Sequence, residues 1–213
     1  MIKTNVYLFG ANELSANLAY LLKKDERYSI LGITADRKYC TANEFFGFPL
    51  IPFENLLSQA EKFSIINCIG YSEQMGVRES VSTRLKSNGF SLLSYVHPNS
   101  IIDGVSCGED NLILANVVIE QNSTIGNGNV FYGGNYICHD ASIGDYNWFS
   151  AKCVLAGYVS VGNRNFVGIN ASIRNNLKLG SMSVIGMGAV VVKDVKSNST
   201  LFGNPAVERS KDK

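Results

Sequence analysis

Two hydrophobic patterns of different period divide the chain. In the first part, short apolar runs predict strands, and two segments with apolar residues at helical spacing predict helices. The predicted strands are NVYLFG, SILGITAD, SIINCIG and FSLLSYV, and the predicted helices are ELSANLAYLLKK and VRESVSTRLKSNG. Strands that alternate with helices indicate a small parallel sheet, so we expect an α/β Rossmann-like domain over residues 1–96.

The second part of the chain is a six-residue repeat. Stepping by six from Ile101 gives sixteen consecutive apolar positions, while Gly108 and Asn111 begin columns that recur every eighteen residues. A period of six within eighteen predicts three short strands per turn of a triangular solenoid, with the apolar residues inside and glycine at a corner. We therefore expect a three-sided parallel β-helix over residues 97–195 and a C-terminal tail over residues 196–213.

The composition fits a folded soluble protein and argues against two kinds of partner. Hydrophobic residues make up 46% of the chain and charged residues 17%, and the formal net charge is +1. This balance gives no electrostatic reason to expect a nucleic-acid or anionic-membrane partner. No apolar run is long enough for a signal peptide or a membrane span. The five cysteines form no CxxC pair, so we expect reduced thiols and a cytoplasmic location.

A solenoid is a scaffold, so its function depends on the residues that it carries. The sequence lacks the regularly spaced threonines of an ice-binding face. Its two histidines, His97 and His139, exclude a three-histidine metal site within one subunit, and we expect no metal. Acyl transfer from a CoA thioester is the remaining use, and it needs a base, an oxyanion donor and a groove for a long cofactor.

His139 is the residue that the repeat does not explain. It follows an inward position by two residues, which places it outside a corner beside Asp140. Stacked strands lie about 4.8 Å apart, so the eighteen-residue period places Gly157 about 5 Å and Lys193 roughly 14 Å from His139 along the axis. We expect His139 to be the base and the Gly157 N–H to hold the oxyanion, with the cofactor phosphates toward Lys193. Asp140 either orients the imidazole or is a solvated corner carboxylate, and Lys193 could equally be an end-cap charge.

The segment HDASIGDYNWFSAKCVLAGYVSVGNRNFVGINASI, residues 139–173, resembles bacterial sialic-acid O-acetyltransferase-type proteins. That group includes the nucleotide-sugar 4-amino N-acetyltransferases, which join a Rossmann-like domain to a left-handed parallel β-helix. The resemblance implies this handedness, acetyl-CoA as co-substrate, and a homotrimer with CoA between adjacent prisms. It also implies that His139 and Asp140 form the catalytic pair.

The same resemblance assigns residues to the binding of CoA and of the sugar. The AG and GIN motifs, at 156–157 and 168–170, match residues that line the acetyl-CoA groove. Trp148 stands where many members carry a second histidine, and we count it among the substrate-binding residues. The expected cofactor-binding residues are Gly157, Ile169, Asn175, Met187 and Lys193.

The resemblance further implies that the N-terminal domain holds the nucleotide of the sugar substrate. The loop FGANELS keeps Gly10 but has Glu13 and Ser15 in place of two glycines of the related enzymes, and it lacks the G-x-G-x-x-G fingerprint of NAD and FAD sites. Asp36 could bond the base or ribose, and Arg37 could meet the phosphates. The expected substrate contacts in this domain are Gly10, Asn12, Asp36, Arg37, Gly70 and Tyr71.

We therefore expect an N-acetyltransferase that acts on the amino group of a nucleotide-linked sugar, a 4-amino-4,6-dideoxyhexose, in bacterial surface-glycan biosynthesis. Acetylation of a hydroxyl on sialic acid or another sugar is an alternative that the sequence does not separate from this one. A trimeric β-helix that serves only as a binding scaffold is a third interpretation, and it leaves His139 without a task.

Overall fold

The computed structural model describes residues 3–209, which form two compact units. The first unit comprises residues 3–72 and 77–94, and the second comprises residues 73–76 and 95–209.

The first unit is a six-stranded sheet with two α-helices. The strand order is β3-β4-β2-β1-β5-β6, and every neighbouring pair is parallel except β3 and β4. The elements are β1 (Thr4–Phe9), α1 (Glu13–Leu22), β2 (Tyr28–Ala35), β3 (Glu44–Phe45), β4 (Phe48–Pro52), β5 (Ser64–Asn67), α2 (Gly76–Ser87) and β6 (Ser91–Leu92). Short 3-10 helices cover Arg37–Tyr39, Phe53–Asn55 and Leu57–Lys62, and a fourth, Glu73–Met75, belongs to the second unit. The hairpin of β3 and β4 was not predicted, because β3 has only two residues and β4 begins and ends beside prolines.

Helix α1 begins where the sequence supplies a cap. The side-chain oxygen of Asn12 accepts hydrogen bonds from the backbone N–H groups of Leu14 and Ser15, at 2.9 and 3.2 Å. These bonds satisfy two of the amides that a helix leaves open at its start. Neither α-helix in the described part of the chain has the length and apolar content needed to cross a membrane.

The segment FSLLSYV forms two short strands rather than the single predicted one. Its first part is β6, which pairs with β5. Its second part is β7 (Tyr95–Val96), which pairs with Leu112–Ile113 of the second unit. An apolar run shows that a segment is buried but not in which sheet it is buried, and this ambiguity caused the error.

The second unit is a three-sided solenoid of stacked parallel strands. Its first face has the order β24-β23-β21-β18-β15-β12-β9-β7, its second face β10-β13-β16-β19-β22, and its third face β20-β17-β14-β11-β8. The strands after β7 are β8 (Ser106–Cys107), β9 (Leu112–Ile113), β10 (Val118–Ile119), β11 (Thr124–Ile125), β12 (Val130–Phe131), β13 (Tyr136–Ile137), β14 (Ser142–Ile143), β15 (Trp148–Phe149), β16 (Val154–Leu155), β17 (Ser160–Val161), β18 (Phe166–Val167), β19 (Ser172–Ile173), β20 (Lys178–Leu179), β21 (Val184–Ile185), β22 (Val190–Val191), β23 (Thr200–Phe202) and β24 (Val207–Glu208).

The repeat places one apolar side chain per strand inside the prism. Every sixth residue from Ile113 to Val191 is buried in one continuous core. The first two predicted core positions, Ile101 and Cys107, are instead exposed. Ile101 pairs with Val118, which points outward, and not with the inward Ile119. The neighbouring Ile102 packs against the core instead.

The asparagine column forms a ladder inside the solenoid, as the eighteen-residue period predicts. The side-chain oxygens of Asn111, Asn129 and Asn147 each accept a hydrogen bond from the backbone N–H eighteen residues later, at 2.8, 2.8 and 2.9 Å. The ladder satisfies backbone amides that would otherwise be buried without a partner.

Candidate functional site

His139 lies at a corner of the solenoid, in the turn between the second and the third face. In the next coils the same turn holds Gly157 and Asn175. The turns are stacked by hydrogen bonds, since the N–H of Tyr158 donates to the oxygen of His139, and the N–H of Asn176 donates to that of Gly157, both at 3.1 Å. We call the turns at 139–140, 157–158 and 175–176 the histidine corner.

The imidazole of His139 is oriented by the next residue in the chain. Its Nδ1 atom lies 2.8 Å from Oδ2 of Asp140. An ionised carboxylate only accepts hydrogen bonds, so in a neutral ring this contact requires the proton on Nδ1 and leaves the lone pair on Nε2. Within residues 3–209, Nε2 has no hydrogen-bond partner, and the side chain is 43% exposed. The imidazole is therefore set up to accept a proton from a group outside the solenoid.

Gly157 lies directly against this ring. A Cβ atom at this position would be 2.8 Å from Cε1 and 2.9 Å from Nε2 of His139, closer than real Cβ contacts allow. A side chain at residue 157 would therefore require the imidazole to move. The N–H of Gly157 donates to no acceptor among the described residues, so the turn that follows His139 in the stack holds an open donor.

Two further residues contact His139 and were not predicted from the sequence. The ring of Tyr158 meets the imidazole edge to face, with centroids 5.2 Å apart. The carboxylate of Glu120 lies 2.8 Å from the backbone nitrogen of His139 and 2.7 Å from the hydroxyl of Tyr136. Tyr158 could have been found as the neighbour of Gly157 in the repeat, but no spacing rule pointed to Glu120. In the part of the chain that the structure describes, no group of three or more His, Cys, Asp or Glu side chains could hold a metal ion.

The structure brings only some of the expected cofactor residues to the histidine corner. Asn175 is exposed in the turn directly above Gly157, and Lys193 is exposed one coil further on. Ile169 and Met187 are 52% and 75% exposed, but they lie at a different corner, between the first and the second face. Within one chain they do not share a groove with His139.

Trp148 is also separated from the histidine corner. It lies in β15 on the first face, is only 9% exposed, and has its ring 5.1 Å from that of Tyr132. Packing therefore explains this tryptophan within one chain.

In the first unit, the expected substrate residues gather at one edge of the sheet. β2, β1 and β5 are parallel neighbours, so the loops after them begin at the same edge. Gly10 has a φ of +124°, and a Cβ there would be 2.8 Å from the amide nitrogen of Asn12. That amide donates to the oxygen of Cys68 at 3.0 Å. Asn12 is thus occupied by helix capping and by the loop after β5.

Asp36 and Arg37 follow β2 at this edge, and both side chains have partners. Nη2 of Arg84 lies 2.7 Å from Oδ1 of Asp36. The guanidinium of Arg84 also lies 5.5 Å from the ring centre of Phe9. Nη2 of Arg37 donates to Asn55 at 2.8 Å. Arg84 was missed because it lies on a helix, far from Asp36 in sequence.

Gly70 and Tyr71 lie in the loop after β5. A Cβ on Gly70 would meet nothing within 4 Å, and Tyr71 is 37% exposed. The buried guanidinium of Arg78 supports this loop, since Nη1 donates to the backbone oxygens of Asn67 and Ile69 at 2.6 and 3.3 Å. Arg78 therefore holds the start of the loop, and Tyr71 beyond it is partly exposed.

Solved structures resemble the chain over nearly its whole length. A histidine-to-asparagine mutant of perosamine N-acetyltransferase from Caulobacter crescentus, in complex with CoA and GDP-perosamine, is 24% identical, with 97% of each chain covered and a TM-score of 0.88. The acetyltransferase domain of PglB from Neisseria gonorrhoeae FA1090, in complex with acetyl coenzyme A, is 24% identical, with 98% of this chain and 100% of that chain covered and a TM-score of 0.85. WeeI from Acinetobacter baumannii AYE is 24% identical, with 97% of this chain and 100% of that chain covered and a TM-score of 0.87.

These likenesses establish the fold. The stacked parallel strands of the second unit fit the left-handed β-helix that the resemblance implies. No family model matches the chain, and no curated protein matches it.

Proposed function

We propose that the protein is an acetyl-CoA-dependent N-acetyltransferase that acts on the amino group of a nucleotide-linked sugar. The observation that carries this proposal is the histidine corner, where an oriented imidazole with a free Nε2 lies against Gly157, whose N–H has no acceptor among the described residues. A proton acceptor and an oxyanion donor side by side are what acyl transfer requires.

The reaction follows from these two groups. Acetyl-CoA supplies the acetyl group as a thioester. Nε2 of His139 accepts the proton that the sugar amine loses as it attacks the thioester carbonyl. Asp140 holds the ring by its Nδ1 atom and stabilises the positive charge that the imidazole gains. The N–H of Gly157 donates to the oxygen that becomes negative, and CoA leaves as the thiolate.

The groove for CoA runs along the histidine corner in this proposal. Asn175 and Lys193 occupy the same corner in later coils, and Lys193 is roughly 14 Å from His139 along the axis at the spacing of stacked strands. Ile169 and Met187 are exposed at another corner, so a second copy of the chain would have to bring them to this groove.

A homotrimer supplies such a second copy. Ile101, Val118, Tyr136 and Val154 pair in succession on the second face and form an outward apolar column. Three of these side chains are exposed, at 57%, 41% and 40% for Ile101, Tyr136 and Val154. An apolar column of this kind is typical of a surface that another subunit covers.

The first unit is proposed to be a Rossmann-like domain that holds the nucleotide. Parallel α/β sheets bind ligands at the carboxyl ends of their strands, and Gly10, Asp36, Arg37 and Gly70 lie at that edge. Arg84 fixes the carboxylate of Asp36, which can then accept a hydrogen bond from a base or a ribose. The complex of perosamine N-acetyltransferase with GDP-perosamine supports a nucleotide sugar as the substrate class.

We further propose that the acceptor is a 4-amino-4,6-dideoxyhexose and that the reaction belongs to bacterial surface-glycan biosynthesis in the cytoplasm. The test is to incubate purified protein with acetyl-CoA and a panel of nucleotide 4-amino sugars, and to follow CoA release with a thiol-reactive dye. We expect release with an amine acceptor, and a product that is heavier by one acetyl group on nitrogen. Release with sialic acid or another hydroxyl acceptor, and with no amine, would contradict N-acetylation and favour O-acetylation. If none of the acceptors leads to CoA release, the interpretation as a non-enzymatic scaffold is favoured.

A further inference from the structure

Glu120 contacts the residue that carries the imidazole without touching the imidazole itself. Its Oε2 accepts a hydrogen bond from the backbone N–H of His139 at 2.8 Å, and its Oε1 accepts one from the hydroxyl of Tyr136 at 2.7 Å. One carboxylate therefore joins the turn of His139 to a side chain on the second face. The Tyr136 hydroxyl and the His139 N–H hold the pKa of Glu120 below its usual value, so this carboxylate is ionised at neutral pH.

Successive turns of the histidine corner differ in whether a side chain accepts a hydrogen bond from the backbone N–H. The residues that follow Glu120 at intervals of eighteen are Cys138 and Ala156, and neither has a carboxylate. Accordingly, the N–H of His139 donates to the side chain of Glu120, while the N–H of Gly157 has no acceptor within residues 3–209. Glu120 thus marks one coil of a repetitive structure.

The corner between the third and the first face shows what the repeat does elsewhere. There the backbone N–H groups of Glu109, Asn127 and Asp145 each donate to a side chain from the next coil, at 3.0, 2.6 and 2.8 Å. Closing an amide with a side chain is therefore an ordinary way to stack these coils. At the histidine corner, within residues 3–209, only the N–H of His139 donates to a side chain, and its acceptor, Glu120, lies in the preceding coil.

We propose that Glu120, held by Tyr136, is a positioning residue for acyl transfer: it fixes the peptide of His139 so that the imidazole stands over Gly157, whose N–H is an open donor in the next turn. This inference rests on the proposed function of the histidine corner. Glu120 acts through the backbone of His139 and contacts neither substrate. The charges of Glu120 and Asp140 both act on His139, and both stabilise the positive charge that the imidazole gains when it takes the amine proton.

The activity test compares three variants with the wild-type protein. Glu120→Ala removes both hydrogen bonds, and we expect kcat to fall about tenfold or more because the imidazole loses its fixed position, with the KM for acetyl-CoA unchanged. Glu120→Gln retains an acceptor for the His139 N–H and offers a donor to Tyr136, so we expect its kcat to recover to within about threefold of the wild type. Tyr136→Phe is the mildest change, and we expect a smaller loss of kcat in a protein that folds normally.

Asp145→Ala is the matched control for a merely structural role. Asp145 also closes a backbone N–H in a neighbouring coil, at 2.6 Å from the nitrogen of Asn127, but at another corner. We expect it to lower the melting temperature about as much as Glu120→Ala does and to leave kcat unchanged. The inference is overturned if Glu120→Ala keeps kcat within about twofold of the wild type, or if the control loses as much activity.

A second measurement does not depend on turnover. The chain has two histidines, so isotope-labelled histidine gives two backbone N–H signals in an NMR spectrum, and His139→Ala assigns them. In Glu120→Ala we expect the His139 N–H and ring signals to move while those of His97 stay in place. Unmoved His139 signals would overturn the inference. If the wild-type protein turns over no acceptor, the proposed function fails, and this spectrum still decides whether Glu120 positions His139.

Discussion

The contact between His139 and Gly157 explains why a glycine occupies this turn. The imidazole lies where a Cβ atom of residue 157 would be, so any side chain there has to displace the ring. The N–H of Gly157 has no acceptor among the described residues, so the proposed base and the proposed oxyanion donor belong to adjacent turns of the corner. Gly157 therefore fits the packing of the turn and also leaves space for the imidazole that we propose as the base.

Gly157→Ala is therefore expected to lower kcat by about 10²-fold, because it moves the imidazole by a distance on the order of an ångström. Gly76→Ala is the control, since a Cβ at that position meets nothing within 4 Å. We expect its activity to stay within about twofold of the wild type. The comparison is made by steady-state kinetics on both variants, and equal activity of the two would show that the contact has no catalytic consequence.

Sequence reasoning at this scale singled out residues that interrupt a repeat, and it did not single out residues that contact them across the fold. His139 and Asp140 stood out because packing in the solenoid does not require them. Glu120 and Arg84 did not stand out, since each gains its meaning from a hydrogen bond or ion pair formed across the fold. No period in the sequence encodes such contacts.

At the scale of the elements, the solenoid was more predictable than the sheet of the first unit. One inward side chain per strand leaves a strict six-residue period, whereas the strands of the sheet are apolar on both sides and show where they lie but not their partners. The segment FSLLSYV illustrates the difference, because its two halves are buried in different sheets. The end of the solenoid was misjudged at Ile101 for a related reason, since the first coil lacks a neighbour on one side.

The asparagine ladder leads to a prediction about the stability of the solenoid. Asn147→Ala leaves the buried N–H of Asn165, now bonded at 2.9 Å, without its acceptor. We expect the free energy of unfolding to fall by about 1–3 kcal/mol. Asn99→Ala, an exposed position, should change it by less than about 0.5 kcal/mol. Thermal or urea unfolding followed by circular dichroism measures both, and a ladder variant as stable as the control would contradict this role.

At the scale of the whole molecule, the expected cofactor residues lie at two different corners of one prism. Asn175 and Lys193 share the corner of His139, whereas Ile169 and Met187 lie at another. A complete groove then requires that the corners of two copies meet. The eighteen-residue period suggested Asn175 and Lys193, and the resemblance suggested Ile169, but only the folded prism shows that the two sets are separated within one chain.

The assembly is tested by sedimentation equilibrium. We expect a mass three times that of the 23.2 kDa chain. Val154→Glu places a charge in the apolar column of the second face and should dissociate the trimer, because an unpaired charge is costly to bury. Val207→Glu, an exposed position on the first face, should leave the mass unchanged. A wild-type protein that sediments as a monomer would contradict the shared groove.

The most direct test of the histidine corner is the turnover of His139→Ala with acetyl-CoA and the amine acceptor that the wild-type protein uses. Loss of the base should lower kcat by about 10²–10⁴-fold while the protein remains folded and still binds CoA. A variant that keeps most of the wild-type turnover would contradict the assignment of His139 as the base.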